Sequence, residues 1–249
     1  MIRLVDVCKT FGNKEVLHHI NLTIKDGETL AIIGGSGSGK STLLRLLIGL
    51  IRPTSGQIWI GDREISGISE KELDEVRLHM GMVFQYSALF DSMTVGENVA
   101  FGLREHTDLS EKEIQGIVEE KLQMVGLGHL SEMMPSELSG GMKKRVSLAR
   151  AIAFGPEIIF YDEPSSGLDP IMTEKIDELI IHTQKSLHVT SVVVTHDMAS
   201  ACRIADRIAM VYEGTLIAVD TAENFKEIRD PRVQAFFRTL RTGKGERGK

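Results

Sequence analysis

At 249 residues the chain is long enough to bury a sizeable core, as one large domain or as a domain with an inserted lobe. Its hydrophobic fraction of 42% and charged fraction of 26% are those of an ordinary folded protein, and aromatics at 5% are too few for a platform that stacks single-stranded nucleic acid. A formal net charge of -6 argues against DNA or RNA as the main partner, but leaves a local phosphate site open, because backbone N–H groups bind phosphate without net positive charge.

The chain begins with an alternation of apolar and polar residues, Met1-Ile2-Arg3-Leu4-Val5-Asp6-Val7, which reads as a strand and lacks the pattern of a signal peptide. Residues 16–24 alternate more loosely. Residues 29–33 form a short apolar run suited to a buried strand. A glycine-rich segment follows, then a helix through Leu50, closed by Pro53, Ser55 and Gly56 before a strand at 57–60. The longest apolar stretches, such as 43–51, contain a charge (Arg45) and fall well short of a membrane span. Any membrane role is therefore expected to run through a partner.

From about residue 87 to 153 the pattern turns helical. Ser110-Glu111-Lys112-Glu113 is a capping box, in which the Ser hydroxyl and the Glu carboxylate each satisfy a free backbone donor at the start of a helix. Ile114, Ile117, Val118, Leu122 and Val125 follow at helical spacing, and Gly126 stops the run. Strands resume at 157–161, a helix covers 171–187, and 190–195 is a β-branched strand. A helix after His196 leads to strands at 207–212 and 215–219, joined by the turn Glu213-Gly214. Strands alternating with helices predict an α/β core with a parallel sheet. The two cysteines, Cys8 and Cys202, are far apart, show no metal or disulfide spacing, and fit reduced thiols in the cytoplasm.

Three segments carry chemistry. Gly34-Gly35-Ser36-Gly37-Ser38-Gly39-Lys40-Ser41-Thr42 fits the phosphate-binding loop G-x-x-x-x-G-K-[ST], preceded by the apolar run and followed by a helix, the context the motif needs. Its glycines let backbone N–H groups face the phosphates, Lys40 neutralises the β/γ oxygens, and the Ser41 hydroxyl reaches Mg²⁺. Ile158-Ile159-Phe160-Tyr161-Asp162-Glu163 is a strand ending in two carboxylates, where Asp162 would hold Mg²⁺ and Glu163 would polarise an attacking water. Leu138-Ser139-Gly140-Gly141-Met142 opens a helix and offers free N–H groups and the positive end of a dipole, a second anion cradle about a hundred residues from the first.

The P-loop, residues 138–142, Asp162-Glu163, Ser166-Gly167-Leu168-Asp169 and His196 stand in one order and spacing, and in this the chain resembles the nucleotide-binding subunits of ABC transporters over nearly its whole length. The resemblance implies a P-loop NTPase core with a parallel sheet, an N-terminal antiparallel β subdomain and an inserted helical subdomain at about 87–153. The ATPase domain is expected over 1–240 and a basic tail over 241–249. It implies ATP hydrolysis with ATP and Mg²⁺, and a head-to-tail pair of identical chains with each ATP between one chain's P-loop and the other's Ser139-Gly140-Gly141. Phe11 matches the aromatic that stacks on adenine, a buried core Phe being the alternative. Gln85 matches the glutamine that approaches Mg²⁺ and senses the permease. His196 matches the histidine at the γ-phosphate, and Asp169 belongs to the nucleotide-facing set.

Residues 85–100, Leu103-Arg104-Glu105-His106, Met142 where most such subunits carry Gln, Tyr161, and Asp230-Pro231-Arg232-Val233-Gln234-Ala235-Phe236-Phe237 look like the Mla-type ATPases of bacterial phospholipid transport. That likeness implies an integral membrane permease of the Mla type, a lipid-binding MCE-domain protein, a STAS-domain regulator, and a place on the cytoplasmic side of the inner membrane. A motor for uptake of amino acids or another small solute is the alternative within the fold. Soluble ABC proteins of ribosomes or DNA repair carry two cassettes or a long coiled coil, neither of which is present, and a kinase or GTPase would lack Ser139-Gly140-Gly141 and His196. The apolar stripe Val233, Phe236, Phe237 and Leu240 is expected to pack on the partner ATPase, with folding back onto its own chain as the alternative.

Overall fold

The computed structural model describes residues 1–242, with side-chain surroundings up to residue 238. In chain order the elements begin with β1 (Ile2–Phe11), β2 (Lys14–Ile24), β3 (Thr29–Ile33), α1 (Lys40–Leu47), β4 (Ser55–Ile60), β5 (Arg63–Glu64), α2 (Glu70–Arg77) and β6 (Met80–Val83). Then come α3 (Val95–His106), α4 (Glu111–Met124), α5 (Gly140–Ile152), β7 (Ile158–Asp162), α6 (Pro170–Leu187) and β8 (Thr190–Thr195). The chain ends with α7 (Met198–Ile204), β9 (Arg207–Tyr212), β10 (Thr215–Thr221) and α8 (Pro231–Thr242). The chain divides into two compact units, one formed by Met1–Leu73 and the stretch from Thr190 on, the other by Asp74–Val189.

In the first unit β1 pairs antiparallel with both β2 and β4, and β5 extends the sheet from β4. The second sheet of this unit has β3 parallel to β8 on one side and to β9 on the other, with β10 folding back on β9 as a hairpin. All five residues of β3 and all six of β8 are buried, as a strand covered on both faces requires. Their register sets Ile33 beside Thr195, so the segments that leave the two strands do so side by side.

In the second unit β6 and β7 are parallel, with Val83 beside Tyr161. Helices α3, α4 and α5 pack on one another and α5 also packs on β6. The capping box at Ser110 forms, and a second one at Thr94 and Glu97 opens α3. The sequence reading lacks α2, β5 and β6. In α2 only Leu73 and Val76 are buried among charged neighbours, so its apolar stripe is thin, and β5 and β6 have two and four residues. Helix α1 ends at Leu47 rather than Leu50, because Gly49 takes a left-handed φ of 70° that breaks the helix.

The tail follows the alternative of folding back onto its own chain rather than the expectation of packing on the partner ATPase. The apolar face of α8 lies on its own chain: Val233 is fully buried, and Phe236 and Phe237 pack with Met198, Ala201, Met210 and Phe225. Burial on the near side is available because α7, β9 and the segment before α8 already expose an apolar cluster to it. The Leu240 side chain lies outside those described, as do residues 243–249 of the basic end.

Candidate nucleotide site

The first unit holds the phosphate loop, Phe11 and His196. The loop leaves β3 and enters α1 through Gly39, whose φ of 109° and close approach to Leu17 both demand glycine: a Cβ there would lie 2.7 Å from the Leu17 Cδ2. At Gly34 a Cβ would stand 2.2 Å from the Val211 carbonyl oxygen. The loop is thus pressed from beneath by the β9–β10 turn, where the Gly214 N–H also donates to the Ser38 carbonyl at 3.0 Å. On the outer side the situation reverses, since a Cβ on Gly35 or Gly37 would meet nothing within 4 Å.

Lys40 begins α1 with only 7% of its surface exposed, and its Nζ donates to the Gly34 and Gly35 carbonyls at 2.8 and 3.0 Å. The Ser38 Oγ is buried without a hydrogen-bond partner. A buried ammonium, an orphaned hydroxyl, an open glycine backbone and the N-terminus of α1 make a cradle that suits a polyphosphate. Ser41 stands exposed in the first turn of α1, and Thr42 is half-buried beside it. Alongside the loop runs a cavity of about 580 Å³, walled by Gly35 to Ser38, Tyr212 and, from α8, Arg232 and Phe236.

Phe11 is 48% exposed with the Lys9 ammonium 4.9 Å from its ring centroid, which removes the alternative of a core phenylalanine. His196 is exposed just beyond β8. The next residue, Asp197, caps α7 by accepting from the Ala199 and Ser200 N–H groups, which fixes the chain direction at the histidine.

The second unit brings Gln85, Asp162 and Glu163 to the C-terminal ends of β6 and β7, the edge where parallel sheets present ligand sites. Asp162 closes β7, and Glu163 follows with a φ of 47°, a left-handed conformation that a non-glycine residue adopts at a cost. The tight turn is closed by the Ser166 N–H donating to the Glu163 carbonyl at 3.1 Å. Gln85 follows β6 and its Nε2 donates to the Ser166 Oγ at 3.4 Å, so the glutamine and the carboxylate turn are in touch.

Ser139 is the N-cap of α5 and its Oγ accepts from the Met142 N–H at 3.3 Å. That leaves the hydroxyl proton to donate outward. Gly140 is exposed, whereas Gly141 is buried under Met172, where a Cβ would lie 2.4 Å from the Cε. Asp169 is the N-cap of α6, its Oδ1 accepting from the Met172 N–H at 3.0 Å. Two expected nucleotide ligands therefore also shape the helices that display them.

Sequence reasoning overlooked three polar side chains of this unit. Lys144 of α5 is 6% exposed and donates from Nζ to the Gln85 carbonyl. Burial pushes its ammonium below the usual lysine range, and the nearby Asp162 and Glu163 carboxylates pull the other way. Arg150 donates to the Ala88 and Ser87 carbonyls at 2.6 and 2.9 Å. Asn98, fully buried in α3, accepts from the Phe90 N–H and donates to the Phe90, Met93 and Thr94 carbonyls. Lys144 belongs to a run of cations, Lys143-Lys144-Arg145, near the start of α5, whereas Arg150 stands as a single polar residue among apolar ones and Asn98 as a lone amide in α3.

Comparison with known proteins follows the same lines. Residues 17–166 match the family model described as ABC transporter. The chain is 44% identical over 227 residues to the intermembrane phospholipid transport system ATP-binding protein MlaF of Haemophilus influenzae, spanning 91% of this chain and 86% of that one. It is 41% identical over 242 residues to a probable ribonucleotide transport ATP-binding protein, mkl, of Mycobacterium leprae, spanning 97% of this chain and 70% of the relative. Its fold superposes with a TM-score of 0.82 on the ATP-binding cassette MJ0796, solved as a dimer in a post-hydrolysis state with ADP and Pi. There the identity is 34%, and the match covers 89% of this chain and 99% of that one. With a phosphate cradle after one buried strand, paired carboxylates after another and a family match across more than half its length, the chain belongs to the ABC transporter family as an ATP-hydrolysing cassette.

Proposed function

We propose that this cassette drives phospholipid transport, working as a head-to-tail pair beneath an Mla-type permease on the cytoplasmic face of the plasma membrane. The observation that carries this reading is the 44% identity with an MlaF protein over nine-tenths of the chain. Met142, Tyr161 and the Asp230–Phe237 segment, the features that narrowed the sequence reading, point the same way. Among the described residues no helix is long and apolar enough to cross a membrane, so the permease would supply the passage. An MCE-domain protein and a STAS-domain regulator complete the complex in this reading.

In the hydrolytic step Phe11 stacks on the adenine, and the P-loop backbone with Lys40 holds the β- and γ-phosphates. Glu163 orients a water for in-line attack on the γ-phosphorus while His196 and the partner chain's Ser139-Gly140-Gly141 cradle the γ-phosphate. Mg²⁺ would be held by the hard oxygen donors Ser41, Gln85 and Asp162 and would neutralise the phosphate charge. The donor set suits the ion chemically: each of these side chains carries an oxygen, and a Mg²⁺ bound largely by phosphates and water needs few protein ligands. Loss of the γ-phosphate removes the contacts that hold two chains together and lets the pair open.

The mkl relatives, named for ribonucleotide transport at 41% identity, favour a second reading in which the same motor serves another cargo. Purification of the native complex through this chain, with mass spectrometry of what the permease holds, separates the two. Copurified phospholipid supports the first reading. A permease free of lipid that binds a nucleotide or other solute overturns it.

A further inference from the structure

The segment from Phe84 to Thr94 carries Gln85 and then Tyr86, which is 87% exposed. Ser87 and Ala88 follow with φ of 63° and 48°, two adjacent non-glycine residues in the left-handed region. Such a pair costs energy on its own and persists only where its surroundings over-determine it. The loop's own backbone supplies a part, with the Ser87 N–H donating to the Phe84 carbonyl at 3.0 Å and the Ala88 N–H to the Tyr86 carbonyl at 2.7 Å. The carbonyls of Gln85, Ser87 and Ala88 are then taken by two cations of one helix, Lys144 and Arg150 of α5. That helix begins at Ser139, the residue that starts the second anion cradle.

We propose that Lys144 and Arg150 are positioning residues for ATP hydrolysis, which fasten the loop bearing Gln85 and Tyr86 to the helix that starts at Ser139, so that the two motifs move as one body. This rests on the reading in which Gln85 and Glu163 serve the hydrolytic step. A hydrogen bond from a charged donor is stronger than one from a neutral amide, and three of them, from two cations to the carbonyls of Gln85, Ser87 and Ala88, leave the loop little freedom. Lys144 also sets a positive charge near the Asp162 and Glu163 carboxylates. A displacement of Ser139 thereby reaches Tyr86 through a helix thirteen residues long and the three bonds from Lys144 and Arg150 at its flank.

The test uses the full chain with Lys144→Met, Lys144→Arg and Arg150→Lys, measuring kcat, KM for ATP, affinity for a non-hydrolysable ATP analogue, and the melting temperature. Lys144→Met is expected to lower kcat by about tenfold to a hundredfold, the scale for a small misplacement of reacting groups. Analogue affinity should stay within about twofold, since the phosphate cradle is untouched, and Lys144→Arg should recover most of the lost kcat. An unchanged kcat in Lys144→Met overturns the proposal. So does a loss of kcat and affinity in step with early melting, which marks a merely structural lysine, or an Arg variant as slow as the Met one. Should Lys144→Met fail to fold, Arg150→Lys still decides: it keeps the charge but loses one of two carbonyl bonds, and an unaltered kcat refutes the clamp. Glu163→Gln assayed in parallel reads the site assignment separately, because normal turnover there would sink that assignment whatever Lys144 does.

Discussion

Around the P-loop the backbone makes the site. Glycines at 34, 35, 37 and 39 allow the wrap, the β9–β10 turn presses it from beneath, and two carbonyls of the loop itself hold the Lys40 ammonium. Around Gln85 and Glu163 side chains make the site: Asn98, Lys144 and Arg150 reach in from two helices to hold a loop that contains left-handed Ser87 and Ala88. A backbone cradle is local and spans nine consecutive residues. A side-chain clamp draws on positions up to 63 residues apart. The first should therefore fail by losing its ligand, the second by losing its geometry.

The largest effect separates the two directly. Glu163→Gln keeps size and hydrogen bonding but removes the charge that orients and polarises water. Turnover measured by phosphate release should fall by about 10²-fold or more, while ATP still binds. The variant should collect as an ATP-bound pair on size-exclusion chromatography with Mg-ATP. Lys40→Ala should do the reverse, weakening ATP by an order of magnitude or more, since a charge-assisted bond is worth roughly 1.5–3 kcal/mol. Calorimetric titration checks this, and wild-type-like binding would contradict the P-loop assignment. If both variants lost affinity equally, the contrast between cradle and clamp would collapse.

A smaller effect sharpens the same contrast through stability. Asn98→Ala removes the group that satisfies three loop carbonyls and one N–H at once. Water can reach some of these, so the expected loss is about 2 kcal/mol rather than the sum of four bonds. Amide exchange should show residues 90–94 opening while α1 and the P-loop stay protected. Uniform loss of protection in both units would mean that Asn98 holds more than its own loop.

How much of this was legible depends on how far apart the cooperating residues lie. The P-loop, the strand before it and the helix after it are contiguous, so a pattern of nine residues reads them together. Phe11 and His196 were reached only through resemblance, because a lone aromatic and a lone histidine each have an ordinary structural use, whereas Ser139 was legible as an anion cradle with a plain glycine-rich helix cap as its ordinary use. Ser139 and Asp169 do have that use, as helix caps. Lys144 was invisible as a buried cation, since its partner is a backbone carbonyl 59 positions away and carbonyls leave no mark in a sequence. The tail was misjudged for the same reason: a stripe at helical spacing tells which face is apolar and says nothing of what covers it. Where the stripe meets Met198 and Phe225, the fold decides.

The smallest expected effect lies at that tail. Asp230 precedes α8, its Oδ1 accepting from the Arg232 N–H at 2.8 Å and its two carboxylate oxygens pairing with the Arg232 guanidinium. These bonds favour the charged carboxylate and hold its pKa at about 2, below the ordinary 3.8. A folded-state pKa that is depressed contributes stability fully present above the unfolded value and lost as pH falls through the folded one. The contribution of Asp230 should therefore be constant down to about pH 4 and vanish between there and about pH 2. The pair is surface-lying and salt-screened, so its removal should fray the first turn of α8 without unfolding the unit. Amide exchange of residues 232–234 in wild type and Asp230→Ala, compared at neutral pH and near pH 3, checks this. The two proteins should differ at neutral pH and converge in acid. Because Arg232 and Phe236 also wall the cavity beside Gly35 to Ser38, a frayed α8 should alter the edge of the nucleotide cradle before it alters the clamp. A slower Glu163-dependent step in Asp230→Ala with unchanged ATP affinity would reverse that order.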